Sequence, residues 1–134
     1  MESSHLVSAF DDGSGNLSIR WAQSNNSGGS VSVTVGQGNS DREGVILRGG
    51  NGEGVVNASL ADATAVASAF NAEFNITAAN GEDCILVVND TNANSFSVWQ
   101  WIQSGGGEVS SAEISLMGVF SANGTVTTSS FGFI

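Results

Sequence analysis

A chain of 134 residues, 40% hydrophobic and only 12% charged, has the size of one ordinary domain and is too apolar to be a disordered acidic tail. Thirteen acids stand against three arginines and no lysine, for a formal net charge of −10. Phosphate binding needs clustered cations, which Arg20, Arg42 and Arg48 are too few to supply, so nucleic acid is excluded as a partner and anionic membrane surfaces are disfavoured.

Taken from the N-terminal end, the first periodic stretches are strands. Leu17 to Ala22 and Val31 to Val35 both alternate apolar with polar residues, the pattern of a sheet with one face in the core, and the polar, Gly-rich Gln23 to Ser30 between them is expected to be a long hairpin loop. Val45-Ile46-Leu47 and Val55-Val56 are short apolar runs around a turn-forming stretch, 48–54, that contains four glycines. From Ser59 to about Phe74, the apolar positions Leu60, Ala63, Val66, Ala67, Phe70 and Phe74 repeat with helical period, with Ser59 as the expected N-cap and Asp62 in the first turn. After an Asn80-Gly81 turn, the runs Cys84 to Val88 and Phe96 to Ile102 are expected to pair as an antiparallel hairpin. Ser104-Gly105-Gly106-Gly107 breaks the chain, Ser110 to Ile114 is expected to form a helical turn, and Leu116 to Phe120 resumes a strand. A last turn at Asn123-Gly124 leads to Phe131-Gly132-Phe133-Ile134. The fold class expected is mainly β, a single domain of antiparallel sheets, sandwich-like or β-roll-like, with one helix at about residues 60–74.

Candidate chemistry is sparse. Cys84 is the only cysteine and sits in an apolar run, so it reads as a buried strand residue and no intramolecular disulfide can form. His5 is the only histidine, which leaves no basis for a Ser-His-Asp system or a His-rich metal centre, and no spacing of acids recommends a glycosidase pair. The chain is expected not to be an enzyme. Calcium needs several hard oxygen ligands, and Asp11, Asp12 and Asn16, Asp41 with Glu43, Glu82 with Asp83, and Asp90 among Asn89, Asn92 and Asn94 offer them in loops. None of these follows the full EF-hand spacing, so each is either a calcium loop or an ordinary Asx turn. Trp99 and Trp101 share one strand face by period two, with Trp21 as a third aromatic; such residues form a platform for sugar rings, an interface, or core.

From Ser59 onward the chain resembles the C-terminal portion of bacterial haemolysin-type calcium-binding proteins exported by type I secretion. The residues that carry the resemblance are the helix Ala61 to Phe74, Asn80 to Asp90, the aromatic stretch Phe96 to Trp101, Gly107 to Phe120 with its Ala112-Glu113-Ile114-Ser115-Leu116, and the final Phe131-Gly132-Phe133-Ile134. The nine-residue Gly- and Asp-rich repeats of that class are missing, and Ser104-Gly105-Gly106-Gly107 stands where relatives place aspartates, which leaves Glu108 and Glu113 as the ligands there. The resemblance implies export in an unfolded state read from the C-terminus, folding outside the cell, and Ca2+ to neutralise acidic repulsion. The start, Met1-Glu2-Ser3-Ser4-His5, has no basic region followed by a long apolar stretch, which agrees with a route of that kind or with trimming. No run is long enough to insert in a membrane.

The function expected is that of an extracellular or cell-surface structural protein, a homo-oligomer or polymer that self-assembles into a surface layer, filament or biofilm matrix. Leu6 to Phe10 or Val126 to Ile134, with Phe131 and Phe133, is the expected donated strand. The alternatives are a module or adhesin that binds cell-surface glycan through Trp21, Trp99 and Trp101, and a virion decoration protein.

Overall fold

The computed structural model describes residues 20–25, 30–36, 41–49 and 53–130. The class is mainly β with one helix, as the periodicity predicts. In chain order the strands are β1 (Trp21–Gln23), β2 (Val31–Val35), β3 (Gly44–Leu47), β4 (Phe74–Ala78), β5 (Asp83–Asn89), β6 (Ser95–Ile102) and β7 (Ile114–Ser121), with helix α1 (Ala63–Glu73) between β3 and β4. Five strands form one sheet in the order β1-β3-β5-β6-β7, while β2 and β4 form a separate pair.

Pairing is mixed. The β5-β6 hairpin is antiparallel from Asp83↔Ile102 to Asn89↔Phe96, as expected, and β6-β7 is antiparallel too. The pairs β1-β3, β3-β5 and β2-β4 are parallel, which corrects the expectation of antiparallel sheets throughout. The expected hairpin of β1 with β2 does not form either, because the two strands belong to different sheets. The physical reason is burial: all four residues of β3 and most of β5 are inside, so both are central strands covered on both faces, the setting in which parallel pairing is found. Parallel neighbours need long crossovers, and α1 with β4 supplies the one between β3 and β5.

One face of the large sheet, through Val45, Leu47, Leu86, Val88, Trp99 and Trp101, packs on α1 through Val66 and Phe70 and on the small sheet through Val33, Val35, Phe74 and Ile76. The opposite face carries a smaller cluster of Ile46, Val87 and Val126, with Trp21, Ile85, Phe96 and Val98 against it. Trp21 lies directly over Gly44, its partner on β3, where any Cβ would collide with the indole.

The helix starts later than the sequence suggests. Asp62, not Ser59, is the N-cap, and its carboxylate accepts from the backbone N–H groups of Thr64 (2.9 Å) and Ala65 (3.2 Å). Ser59 closes a short 3-10 turn, Asn57–Ser59, instead. Phe74 leaves the helix as the first residue of β4 and keeps a stacked contact with Phe70, ring centroids 5.7 Å apart. At the end expected to be helical, the N–H of Glu113 bonds the carbonyl of Ser110 in a single turn before β7.

After β7 the chain returns across the second face and is fastened there. Asn89, wholly buried, donates to the carbonyls of Leu47 (3.0 Å) and Val126 (2.9 Å) and accepts from the N–H of Val126 (2.7 Å). The start of the segment expected to be donated, Val126, is therefore committed to its own molecule.

Candidate functional site

The acidic residues singled out as calcium ligands do not converge. Glu43 turns to Arg20, taking its backbone N–H at 2.6 Å and an ion pair with its guanidinium, whereas Asp41 lies against Gly36. Glu82 and Asp83 are half-buried at the start of β5, and Glu108 is exposed. Asp90 is almost wholly buried and organises the β5-β6 turn: its carboxylate accepts from the side chain of Asn57 (3.0 Å) and the backbone N–H groups of Asn92 (3.0 Å) and Asn94 (2.9 Å). Burial alone raises its pKa, but the hydrogen bonds from Asn57, Asn94, Asn92 and Ser95 outweigh it and hold the carboxyl below its ordinary value. Among the described residues no group of three or more His, Cys, Asp or Glu side chains is arranged to hold a metal ion. Asp11, Asp12, Asn16, Phe131 and Phe133, together with Leu6 to Phe10, lie outside the described residues.

Glu113 has a different task. It stands at the foot of β7 and accepts from the indole N–H of Trp101 (2.9 Å), the N–H and hydroxyl of Ser104 (2.9 and 2.8 Å) and the N–H of Ser110 (3.3 Å). Burial pushes its pKa up, and the bonds from Trp101, Ser104 and Ser110 bring it below the ordinary value. A charged acceptor with four donors around it fixes the loop that delivers β7 to the sheet. Asn71 of α1 fixes the same loop from the other side, donating to the carbonyl of Val109 (2.8 Å) and accepting from its N–H (2.9 Å).

Trp99 and Trp101 are 2% and 0% exposed. Both belong to the core, which leaves the last of the three readings, platform, interface or core, for this pair: the face they share by period two is the one covered by α1 and the small sheet. Trp21 alone of the three is half-buried, and with Gln23, Ser32, Thr34 and Arg42 it lines a groove of about 410 Å³ between β1 and β2. Cys84 is buried on the core face of β5; burial pushes its thiol pKa far up, with Glu43 and Asp83 adding to the effect, which disfavours the thiolate, the nucleophilic form.

The feature that stands apart is β7, the last strand of the large sheet. Only β6 pairs with it among the described strands, so among the described residues no strand covers its outer row of backbone N–H and C=O groups. Six of its eight residues are exposed, and four are large and apolar: Leu116 at 43%, Met117 at 57%, Val119 at 49% and Phe120 at 49%. Ile102, at the end of β6, adds a fifth apolar side chain at 46%. The strand contains no charge and no proline in a molecule of net charge −10. Phe120 folds back over Gly118, where a Cβ would come within 2.7 Å of its ring, and stacks on Phe96 at 5.2 Å. One irregularity interrupts the ladder: Val98 pairs with Gly118 and Trp99 with Leu116, so Met117 is an extra residue, a β-bulge.

The sequence places a strand at Leu116 to Phe120 but does not mark it as a contact edge, although the signal is visible. Ser-Leu-Met-Gly-Val-Phe-Ser neither alternates nor forms an unbroken apolar run, which is what an edge strand with apolar residues on both faces and a bulge looks like. No helix among the described residues is long and apolar enough to cross a membrane. No protein-family model matches the chain, and searches of curated proteins and of solved structures return no match.

Proposed function

We propose that this chain is a non-enzymatic structural protein that acts outside the cell, in a bacterial surface layer, filament or extracellular matrix, and that strand pairing at β7 is one of the contacts of its assembly. The observation that carries the reading is the uncharged, apolar edge of that strand, which has no outer partner among the described strands. Natural sheets blunt such edges with lysine, proline or inward charges; β7 has none of these and only a bulge. A cluster of exposed apolar side chains along one strand is a usual mark of a contact site.

Charge sets the condition under which the edge becomes usable. Two copies each at −10 repel at low ionic strength, and the repulsion falls once salt or calcium screens it. Calcium acts in this reading as a counter-ion to the acidic surface and a trigger for association. Electron microscopy of the purified protein with calcium, and again after a chelator, tests it: ordered assemblies that grow with calcium or salt are expected, and particles of single-chain size at high concentration in both conditions refute it.

The groove beside Trp21 favours a second reading, a module that binds glycan, since a half-buried indole next to Gln23, Ser32, Thr34 and Arg42 presents an apolar face ringed by hydrogen-bonding groups. Quenching of tryptophan fluorescence by oligosaccharides, lost in Trp21→Ala, supports it; no spectral change refutes it.

A further inference from the structure

We infer that β7 is built to pair with β7 of a second copy about a two-fold axis, in one register, and that the Met117 bulge sets that register by placing the axis between Met117 and Gly118, where all eight residues pair. The inference rests on β7 being the assembly edge and adds who the partner is and how it is aligned.

Paired residues on neighbouring strands point to the same side of a sheet. Ile114, Leu116, Val119 and Ser121 of β7 face Trp101, Trp99, Ser97 and Ser95 of β6, so they share the side of the sheet that holds the main core. Ser115, Gly118 and Phe120 face Gln100, Val98 and Phe96 and share the other side. Met117, the extra residue, changes the parity between the two halves of the strand.

A two-fold axis perpendicular to the sheet lays β7 antiparallel to its copy and keeps the two sides of the sheet unmixed. With the axis between Met117 and Gly118, all eight residues find a partner: Ile114 faces Ser121, Ser115 faces Phe120, Leu116 faces Val119, and Met117 faces Gly118. The first three pairs each join residues of the same side. An unbulged strand centred between two residues would join opposite sides in every pair. Shifting the register by two residues toward the N-terminal end keeps sides matched but shortens the ladder, and shifting the other way sets Gly118 against Val119 from opposite sides.

The contact suits this occupant in two further ways. The most flexible of the exposed side chains, Met117, meets the glycine, and apolar Leu116 meets apolar Val119, so the centre of the contact is apolar and packed. No charged residue enters the ladder, which makes this the line along which two strongly acidic copies can meet. The opposite edge is a poor alternative partner, because β1 is three residues long. A two-fold contact closes on itself, so β7 yields a pair with a continuous ten-stranded sheet, and any growth into a layer or filament must use another surface.

Cross-linking tests the register. In the full chain, Leu116→Cys with Val119→Cys places sulfurs on directly opposite residues, which in antiparallel pairs lie about 4.5–5.5 Å apart between Cα atoms, within disulfide range. Each position lies about 10 Å from its own copy across the axis, at roughly 3.3 Å per residue, so neither single variant bridges. Under mild oxidation with oxidised glutathione in high salt, the double variant is expected to give a covalent pair whose mass spectrum contains the peptide of position 116 joined to that of position 119, while both single variants stay uncrosslinked. Buried Cys84 takes no part. Val119→Lys accompanies them: the added positive charge lessens overall repulsion, yet the dissociation constant is expected to rise by about tenfold or more. Tryptophan fluorescence and circular dichroism must show the native fold in each variant.

If the parent chain associates and Val119→Lys weakens it, but the double variant gives no 116–119 peptide or the single variants cross-link equally well, the register is wrong and the edge reading stands. If the parent chain does not associate in high salt, both fail.

Discussion

Replacing Asn89 with alanine removes the side chain that ties the returning segment at Val126 to strands β5 and β3 of the large sheet. It is wholly buried and makes three hydrogen bonds, to the carbonyls of Leu47 and Val126 and from the N–H of Val126. Each such bond contributes about 1 kcal/mol net, and a buried backbone group left without a partner costs roughly 1–3 kcal/mol. Alanine frees three backbone groups at once; allowing for water entering the space, the expected loss is about 3–5 kcal/mol, a large part of the roughly 5–15 kcal/mol that holds an ordinary domain together. Asn89→Asp should be at least as harmful, because a carboxylate keeps the bond from Val126 N–H but faces two carbonyls it cannot donate to. Urea unfolding followed by the fluorescence of buried Trp99 and Trp101 measures the change, with an unaltered dependence on urea showing that the same surface unfolds. A loss under about 1 kcal/mol in Asn89→Ala would refute the reasoning and mean that the crossing at Val126 is held by packing alone.

Three smaller predictions follow from the same geometry. Asp90 and Glu113 have folded-state pKa values below their ordinary 3.8 and 4.5, so the stability they contribute is complete above those values and is lost as pH falls through the lower folded values; acid unfolding should therefore begin below pH 4.5, and Glu113→Gln should flatten that limb of the stability curve. Asp62→Ala removes the cap of α1 and should cost about 1 kcal/mol in urea unfolding, with Asp62→Ser restoring most of it. Cys84 should resist a thiol reagent in the native protein and react fully in urea; fast native labelling would show that the core face of β5 opens.

The sequence carried the class of fold because alternation and helical period are local. Val31-Ser32-Val33-Thr34-Val35 could be assigned a buried and an exposed face without knowing its partner, and Val66, Ala67 and Phe70 are the buried stripe of α1. Partner choice is not local. The unbroken runs Val45-Ile46-Leu47 and Cys84 to Val88 are the pattern of strands covered on both faces, a sign of parallel central strands that alternation elsewhere obscured. Phe74-Asn75-Ile76-Thr77-Ala78 alternates cleanly, but its first residue also completes the helical stripe, so the helix claims Phe74 and the strand that follows goes unrecognised. The acids were legible as loop residues and not as ligands, since a carboxylate surrounded by backbone N–H groups and one facing an open loop have the same sequence; Asp90 and Glu113 show the first case. The tryptophan pair shared a face as predicted, but whether a shared face is core or surface depends on what packs over it, here α1 and the small sheet. The edge itself was hidden because an edge strand is defined by the neighbour it lacks.

The most direct measurement is hydrogen exchange of the backbone amides of β7 as a function of protein concentration in high salt. The outward N–H groups of residues 114–121 should exchange freely in dilute solution and become protected as the concentration rises, while those in β3 and β5 stay protected throughout. Association that leaves β7 as exposed as in the dilute protein, or that protects a different segment, would contradict the account.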